Sequence, residues 1–134
     1  PSFIPLICYE SIFPGQIQVD REKNRPGWLL NLTNDAWFGS SSGPYQHFAS
    51  AQLRSVELGL PLVRVANTGI SGVIDSYGRV RVRTVLNEEI SVESPLPARL
   101  SNSTWFAKHG NTTIFCIVLI LFGVFRLRFF VTKG

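Results

Sequence analysis

The residues with the clearest chemical potential are a thiol, a phenol and a carboxylate at consecutive positions, Cys8, Tyr9 and Glu10. They lie within a mostly apolar stretch that starts at Phe3 and is bounded by Pro14. A short apolar run bounded by a proline predicts a buried strand. A cysteine at the end of such a strand would lie at the rim of a sheet, where active sites of open α/β sheets occur. The thiol could act as a nucleophile if a base or a cation stabilises its thiolate. The alternative is a structural cysteine, because free cysteine often packs as a small hydrophobe.

The elements that position these groups belong to a chain of 134 residues, about one small domain, with a net charge of +4. Residues 1–110 carry ten basic and nine acidic residues, so the positive charge belongs to the C-terminal end. No Lys/Arg run with interleaved aromatic residues occurs, and we therefore expect no nucleic-acid partner. Because the chain begins with Pro1, we expect it to be processed or partial.

The C-terminal end predicts a transmembrane helix. Residues 114–125 are apolar without a charge, and residues 112–131 would form about 30 Å of helix, enough to cross a bilayer. Aromatic residues precede the uncharged run 114–125 and cations follow it, namely Trp105, Phe106, Arg126, Arg128 and Lys133, and a span over 112–131 requires Arg126 and Arg128 to snorkel toward the headgroups. This arrangement predicts a cytoplasmic C-terminus and a body on the outer side. The alternative, a helix buried in a core, is hard to build from so small a chain.

Cysteine and histidine are too sparse to predict a metal site, a cofactor or a disulfide. The two cysteines are Cys8 and Cys116, and the second lies inside the predicted membrane helix. The two histidines, His47 and His109, are isolated and lack metal-ligand spacing. Each is more typical of a surface or hydrogen-bonding residue than of a catalyst.

The body is predicted to be α/β. A short helix over 12–19 is followed by a charged turn over 20–27. The predicted strands cover residues 28–32, 62–66, 71–75, 79–84 and 90–92. A helix is expected from Pro44 to Leu58, with its apolar residues at 45, 48, 49, 53 and 56 on one face and Gly59 ending it.

Several motifs are similar to the later part of the nitrilase, or carbon–nitrogen hydrolase, superfamily. They are Cys8-Tyr9-Glu10 with Phe13-Pro14, the Asn-Asp-Ala-Trp-Phe-Gly run at 34–39, Gly-Pro-Tyr-Gln-His at 43–47, Arg54 to Gly59 with Pro61 and Arg64, and Asn-Thr-Gly at 67–69. Together with the membrane helix, they most resemble the membrane branch of that superfamily, the N-acyltransferases that add the third acyl chain to bacterial lipoproteins.

The resemblance implies an αββα sandwich on the periplasmic side of the inner membrane, with a Glu-Lys-Cys triad whose nucleophile is Cys8. Cys8 would accept an acyl group from a phospholipid as a thioester and pass it to the amine of a diacylglyceryl-cysteine lipoprotein. The backbone N–H of Tyr9 would help to hold the oxyanion. The supporting pocket residues that it implies are Tyr9, Glu10, Asp35, Trp37 and Phe38.

The sequence departs from this pattern because the catalytic glutamate and lysine, which precede the cysteine in the family, are absent. Glu10, Glu57 and Lys23 do not match their positions. We therefore expect a C-terminal fragment, inactive alone, with a sheet edge and an apolar face uncovered. Its divisions would be a catalytic part over 1–97, a linker over 98–111, a transmembrane helix over 112–131 and a cytoplasmic tail over 132–134. Two alternatives stay open, a soluble-branch amidase or hydrolase and a non-catalytic membrane-anchored remnant.

Overall fold

The structure is a computed structural model that describes residues 1–15, 17 and 25–131, except for the side chains of residues 127 and 129–131. Its strands are β1 (Phe3–Ile7), β2 (Trp28–Asn34), β3 (Leu62–Asn67), β4 (Gly72–Ile74) and β5 (Val80–Arg83). Its α-helices are α1 (Gly43–Leu58), α2 (Trp105–His109) and α3 (Thr112–Val131). Two short 3-10 helices, Cys8–Ile12 and Ala36–Phe38, follow β1 and β2.

The five strands form one mixed sheet in the order β1-β2-β3-β4-β5. The first three are parallel, and β4 and β5 add antiparallel pairs. The register aligns Leu6 with Asn31 and Asn31 with Arg64. Because side chains alternate along a strand, these three residues share one face of the sheet. The carboxyl ends of the three parallel strands meet at a single edge.

Helix α1 begins one residue before the predicted Pro44 and ends at Leu58 as predicted. Pro44 lies in its first turn, and Gly59 closes it in the left-handed conformation at a φ of 63°. The predicted buried face was wrong, because Tyr45, Leu53 and Val56 are exposed. The face that packs on the sheet consists of Pro44, His47, Phe48, Ala51, Arg54, Ser55 and Leu58. It contains polar side chains because the sheet face below it is itself polar at Asn31 and Arg64.

The hydrophobic core lies between α1 and one face of the sheet, and it consists of Leu6, Leu29, Phe48, Ala51, Leu58, Leu60, Leu62, Ile70 and Ile74. The opposite face is apolar and open, since Phe3, Ile7, Leu32 and Val65 are 42 to 53% exposed. The described residues therefore form one mixed α/β sheet with an uncovered face, as expected for part of a sandwich. β1 was predicted to be buried, but it lies at an edge of this sheet and buries only Leu6.

Two further expectations about local structure need correction. In the segment 12–19 predicted to be a helix, residues 13–15 and 17 are not helical, and the 3-10 helix lies earlier, at Cys8–Ile12. Residues 16 and 18–24, which include the rest of this segment and most of the predicted turn, lie outside the described residues. Residues 90–92 form no strand, and Ile90 and Val92 are exposed, because alternation without a neighbouring strand gives no ladder. Within the segment 98–111 lies α2, which Thr104 caps by accepting a hydrogen bond from Ala107 N–H at 3.0 Å, and the division of the chain into a catalytic part, a linker and a tail stays a prediction.

Helix α3 occupies the segment predicted to cross a membrane, and its large apolar side chains between Ile114 and Phe125 are exposed. Within the part of the chain that the structure describes, no helix is both long and apolar enough to span a bilayer. The predicted transmembrane helix, and the cytoplasmic C-terminus that depends on it, are therefore unsupported.

Candidate active site

Cys8 lies directly after β1, at the edge where the three parallel strands end. It is half-buried, and its φ of 52° is in the left-handed region that side chains other than glycine seldom adopt. Thr33 Oγ1, near the end of β2, lies 3.7 Å from Cys8 Sγ and 3.2 Å from Asp35 Oδ1, and the hydroxyl can donate its one hydrogen to either of them. The chain therefore presents its thiol at a strained strand-to-helix turn, a conformation that must be held by its surroundings.

The two residues after Cys8 have different roles in this turn. Glu10 Oε2 accepts a hydrogen bond from Ile7 N–H at 2.6 Å, so its carboxylate fastens the turn to the end of β1. Tyr9 is partly exposed, and its ring stacks on the His47 ring with centroids 5.3 Å apart and an interplanar angle of 22°. Phe38 lies edge-on to both rings, at 6.0 Å from Tyr9 and 5.9 Å from His47. The rings of Tyr9, Phe38 and His47 thus form an aromatic cluster next to the turn that carries the thiol.

Asp35, the first residue after β2, contacts His47 and is buried, with 1% of its surface exposed. Its Oδ2 accepts a hydrogen bond from Arg64 Nη2 at 2.7 Å, and its Oδ1 lies 2.9 Å from His47 Nδ1. Burial raises the pKa of this carboxyl. The hydrogen bond with His47 and the charge of Arg64 together lower the pKa by more than burial raises it, so the net pKa is below its ordinary value. Asp35 is therefore an anion held between two donors.

Arg64 is the centre of the buried polar cluster, although it sits in the middle of β3. Its side chain is fully buried, and its guanidinium donates to Asp35, to the Asn31 side-chain oxygen and, at 3.2 Å through Nε, to the Ile70 carbonyl. Burial lowers the pKa of Arg64, and the interactions of Arg64 with the Asp35 carboxylate and with Cys8 oppose that change. A cation is thus placed where it interacts electrostatically with the candidate nucleophile.

His47 connects this cluster to the turn that carries the thiol. Its Nδ1 lies 2.9 Å from Asp35 Oδ1 and 3.1 Å from Arg64 Nη2, and we assign the Nδ1 hydrogen to the carboxylate because that is the strongest acceptor near it. Its Nε2 lies 3.1 Å from Ser11 Oγ. Ser11, His47 and Asp35 have the connectivity of a hydrolase triad. All three are at most 3% exposed, so no substrate can reach the serine hydroxyl. The arrangement is therefore an internal support and not a second nucleophilic site.

Comparison with known proteins agrees with this geometry. The sequence model described as Carbon-nitrogen hydrolase matches residues 3–94, which is more than half of the chain. The chain belongs to the carbon–nitrogen hydrolase family. It is 49% identical to the apolipoprotein N-acyltransferase of Rhodopseudomonas palustris over 128 residues, which cover 96% of the chain and 23% of that protein.

Two further relatives carry the same name. The apolipoprotein N-acyltransferase of Bradyrhizobium diazoefficiens is 51% identical over 90% of the chain and 22% of its own length. That of Rickettsia bellii is 51% identical over 88% of the chain and 23% of its own length. The chain thus spans about a quarter of the length of these carbon–nitrogen hydrolase relatives.

The structure of this carbon–nitrogen hydrolase chain brings together most, but not all, of the residues that the sequence suggested. Cys8, Tyr9, Asp35 and Phe38 lie in one region, as the contacts through Thr33 and His47 show. Trp37 is 83% exposed on the 3-10 helix after β2, and it takes no part in the buried cluster. The catalytic role of Cys8 and the pocket roles of the other predicted site residues stay predictions.

Sequence reasoning missed the side chains that join these residues, namely Ser11, Asn31, Thr33, His47 and Arg64. A signal for one of them existed, because Arg64 interrupts an otherwise apolar strand, and a charge there must be paired. His47 was expected to be a surface or hydrogen-bonding residue; it does form hydrogen bonds, but it is buried. Among the described residues, no group of three His, Cys, Asp or Glu side chains is placed to hold a metal ion.

Proposed function

We propose that this chain is the nucleophile-bearing part of an apolipoprotein N-acyltransferase. The observation that carries the proposal is a free thiol, Cys8, at the rim of a parallel sheet in a chain about half identical to proteins of that name. The proposed acyl donor is a phospholipid. The proposed acceptor is the N-terminal amine of a diacylglyceryl-cysteine lipoprotein.

In the first half-reaction, a base removes the Cys8 proton and the thiolate attacks the carbonyl carbon of a phospholipid ester. The C–S bond forms, the electron pair moves to the carbonyl oxygen, and the oxyanion is held by donors that include the Tyr9 N–H. That N–H belongs to the first turn of the 3-10 helix, where backbone donors have no partner within the helix. Collapse of the intermediate breaks the C–O bond, and the lysophospholipid leaves with a proton.

In the second half-reaction, the lipoprotein amine attacks the thioester carbonyl and loses a proton to the same base. The C–N bond forms, the C–S bond breaks, and Cys8 returns as a thiol. The exposed aromatic surface of Tyr9 and Trp37 suits acyl chains and would help to exclude water, which would otherwise hydrolyse the thioester.

The base and the lysine of the proposed triad are not assigned to residues of this chain. Glu10 is engaged with the Ile7 backbone N–H, and Glu57 is paired with Arg54 at 2.9 Å on α1. Lys23 lies outside the described residues. The proposal therefore requires that both groups come from the parts of the family pattern that this sequence does not contain, and it predicts that the chain alone is inactive.

We place the active protein at the bacterial inner membrane, with its catalytic domain on the periplasmic side. The support is the name of its relatives and the exposed apolar surface of α3, which suits contact with lipid. Ser40→Cys, in the exposed loop after β2, tests the side in a background without Cys8 and Cys116. A maleimide that cannot cross the inner membrane should label this position in intact cells whose outer membrane is permeable. Labelling only after lysis would contradict the placement.

The proposed reaction is tested by incubating the full-length protein with phospholipid that carries a labelled acyl chain and with a diacylglyceryl lipopeptide. We expect the label in an amide at the lipopeptide amine, and none when Cys8 is replaced by Ala. Release of the label as free fatty acid without lipopeptide acylation would instead support the hydrolase alternative. No turnover of any kind by the full-length protein would support the non-catalytic remnant.

A further inference from the structure

We propose that His47 is a positioning residue for Cys8, acting through Ser11 and Tyr9, which it contacts on the turn that carries the nucleophile. This inference deepens the proposed function and rests on it for the role of Cys8. His47 itself does not touch the thiol in the structure. Because His47 belongs to α1 and contacts Tyr9 and Ser11, it connects this helix to the turn that carries Cys8.

The first support is that His47 holds the turn at two points. Its Nε2 and Ser11 Oγ are 3.1 Å apart, and its ring stacks on Tyr9. Both partners belong to the 3-10 helix that begins with Cys8. Ser11 Oγ is also 3.4 Å from the Cys8 carbonyl oxygen, so the hydroxyl lies between the histidine and the backbone of the nucleophile.

The second support is that His47 is itself fixed from below. Asp35 accepts from its Nδ1, and Arg64 holds Asp35 on the opposite oxygen. Arg64 also orients the Asn31 amide, which donates to the Leu6 carbonyl at 2.9 Å and lies 3.5 Å from the Cys8 carbonyl. The Arg64 guanidinium is thus connected to the turn by two series of contacts. One runs through Asn31 to the backbone before Cys8, and the other runs through Asp35 and His47 to Ser11, after Cys8.

The third support is that the Cys8 conformation requires such bracing. A non-glycine residue in the left-handed region is strained, and strain at a single residue persists only where the surroundings determine it. Loss of the His47 contact to Ser11 would allow the turn to relax. The thiol would then spend less time where Thr33 and the charge of Arg64 act on it.

The test is the rate at which iodoacetamide alkylates Cys8 in the full-length protein, measured on the peptide that contains it. Ser11→Ala removes the hydroxyl that meets His47, and Ser55→Ala is its matched control. Both serines are fully buried, but Ser55 Oγ has no hydrogen-bond partner within the described part of the chain. We expect Ser11→Ala to slow alkylation about 3- to 10-fold, the equivalent of one hydrogen bond, and Ser55→Ala to leave the rate unchanged.

Equal rates for wild type and Ser11→Ala would overturn the proposal, as would equal slowing by both serine variants. If Ser11→Ala does not fold, a pair of variants at His47 decides instead. Gln can place its amide where Nε2 lies and keep the Ser11 contact, whereas Asn can replace only Nδ1 and keep the Asp35 contact. The proposal predicts faster Cys8 alkylation in His47→Gln than in His47→Asn at matched thermal stability. Equal or reversed rates would overturn it.

This experiment separates the inference from the proposed function, because alkylation needs no lipid. Failure of the protein to transfer acyl groups, with the alkylation pattern intact, would refute the proposed function alone. Normal acyl transfer in Ser11→Ala, with unchanged kcat and alkylation rate, would refute the positioning role alone.

Discussion

The ion pair of Arg64 and Asp35, in which both side chains are buried, should contribute far more to folding than a pair of the same length whose arginine is exposed. Arg64→Met removes the guanidinium donor from Asp35 Oδ2, from the Asn31 side-chain oxygen and from the Ile70 carbonyl, and it leaves the Asp35 carboxylate without a cationic partner. Removing one partner of a buried pair typically costs 3–5 kcal/mol, roughly, since an unpaired charge remains in the interior. This is a large part of the total stability of about 5–15 kcal/mol of a typical domain.

The chain offers a matched control in Arg79 and Asp75, whose Nε and Oδ2 atoms are 2.7 Å apart, as are Arg64 Nη2 and Asp35 Oδ2. The side chain of Arg79 is 66% exposed, whereas that of Arg64 is 0% exposed. Asp75 is buried, but its carboxylate also accepts hydrogen bonds from the backbone N–H groups of Tyr77 and Arg79, which a substitution at Arg79 leaves in place. Arg79→Met should therefore cost only about 0–1 kcal/mol.

The assay is urea unfolding of the purified full-length protein, following the transition that includes this domain at constant m-value. The double variant Arg64→Met/Asp35→Leu should lose about 2–3 kcal/mol less than the sum of the two single variants, because it leaves neither charge unpaired. Additive single-variant effects, or an Arg64→Met cost no larger than that of Arg79→Met, would refute the reasoning.

Three further predictions concern the same region. Since the net pKa of Asp35 is lowered, its contribution to stability should be complete above a pH of about 4 and should decrease as the pH falls through the folded-state pKa; thermal melts in acid should show this decrease in wild type and less of it in Asp35→Asn. Gly69→Ala should destabilise by about 1–3 kcal/mol, because its Cβ would lie 2.7 Å from Asp35 Cβ, whereas Gly123→Ala, with nothing within 4 Å, should not destabilise; urea unfolding compares them. Cys8→Gly should be at least as stable as Cys8→Ala, because glycine tolerates the φ of 52°, whereas Ala49→Gly in α1 should cost about 0.5–1 kcal/mol; a similar loss at both positions would contradict the strain at Cys8.

Local patterns were sufficient to predict the elements that carry the site. The apolar runs located β1, β2 and β3, and Pro44 and Gly59 bounded α1 to within a residue. The same patterns could not predict which face of α1 is buried. Helical periodicity assigns apolar residues to the core, but here the polar side chains of His47 and Arg54 are buried. His47 forms a hydrogen bond with Asp35, and Arg54 forms an ion pair with Glu57 on the same helix.

The candidate site was predictable only at its nucleophile. Cys8 stood out because a lone thiol ended an apolar run, and the family motifs pointed to Asp35 without a partner for it. The partners are Arg64, 29 residues further along the chain, and His47, on the intervening helix. Only the parallel register of β1, β2 and β3 brings these positions together, and such long-range pairing is not written in any local pattern.

The central claim is that Cys8 carries the acyl group, and a direct measurement can test it. The full-length protein is incubated with labelled phospholipid without acceptor, and its peptides are analysed for a hydroxylamine-labile acyl adduct. Cys116→Ser is the control, since Cys116 is the other free cysteine of the chain. We predict a thioester on the Cys8 peptide in wild type and in Cys116→Ser, and none in Cys8→Ser. A hydroxylamine-labile thioester that persists at another residue in Cys8→Ser would contradict the assignment.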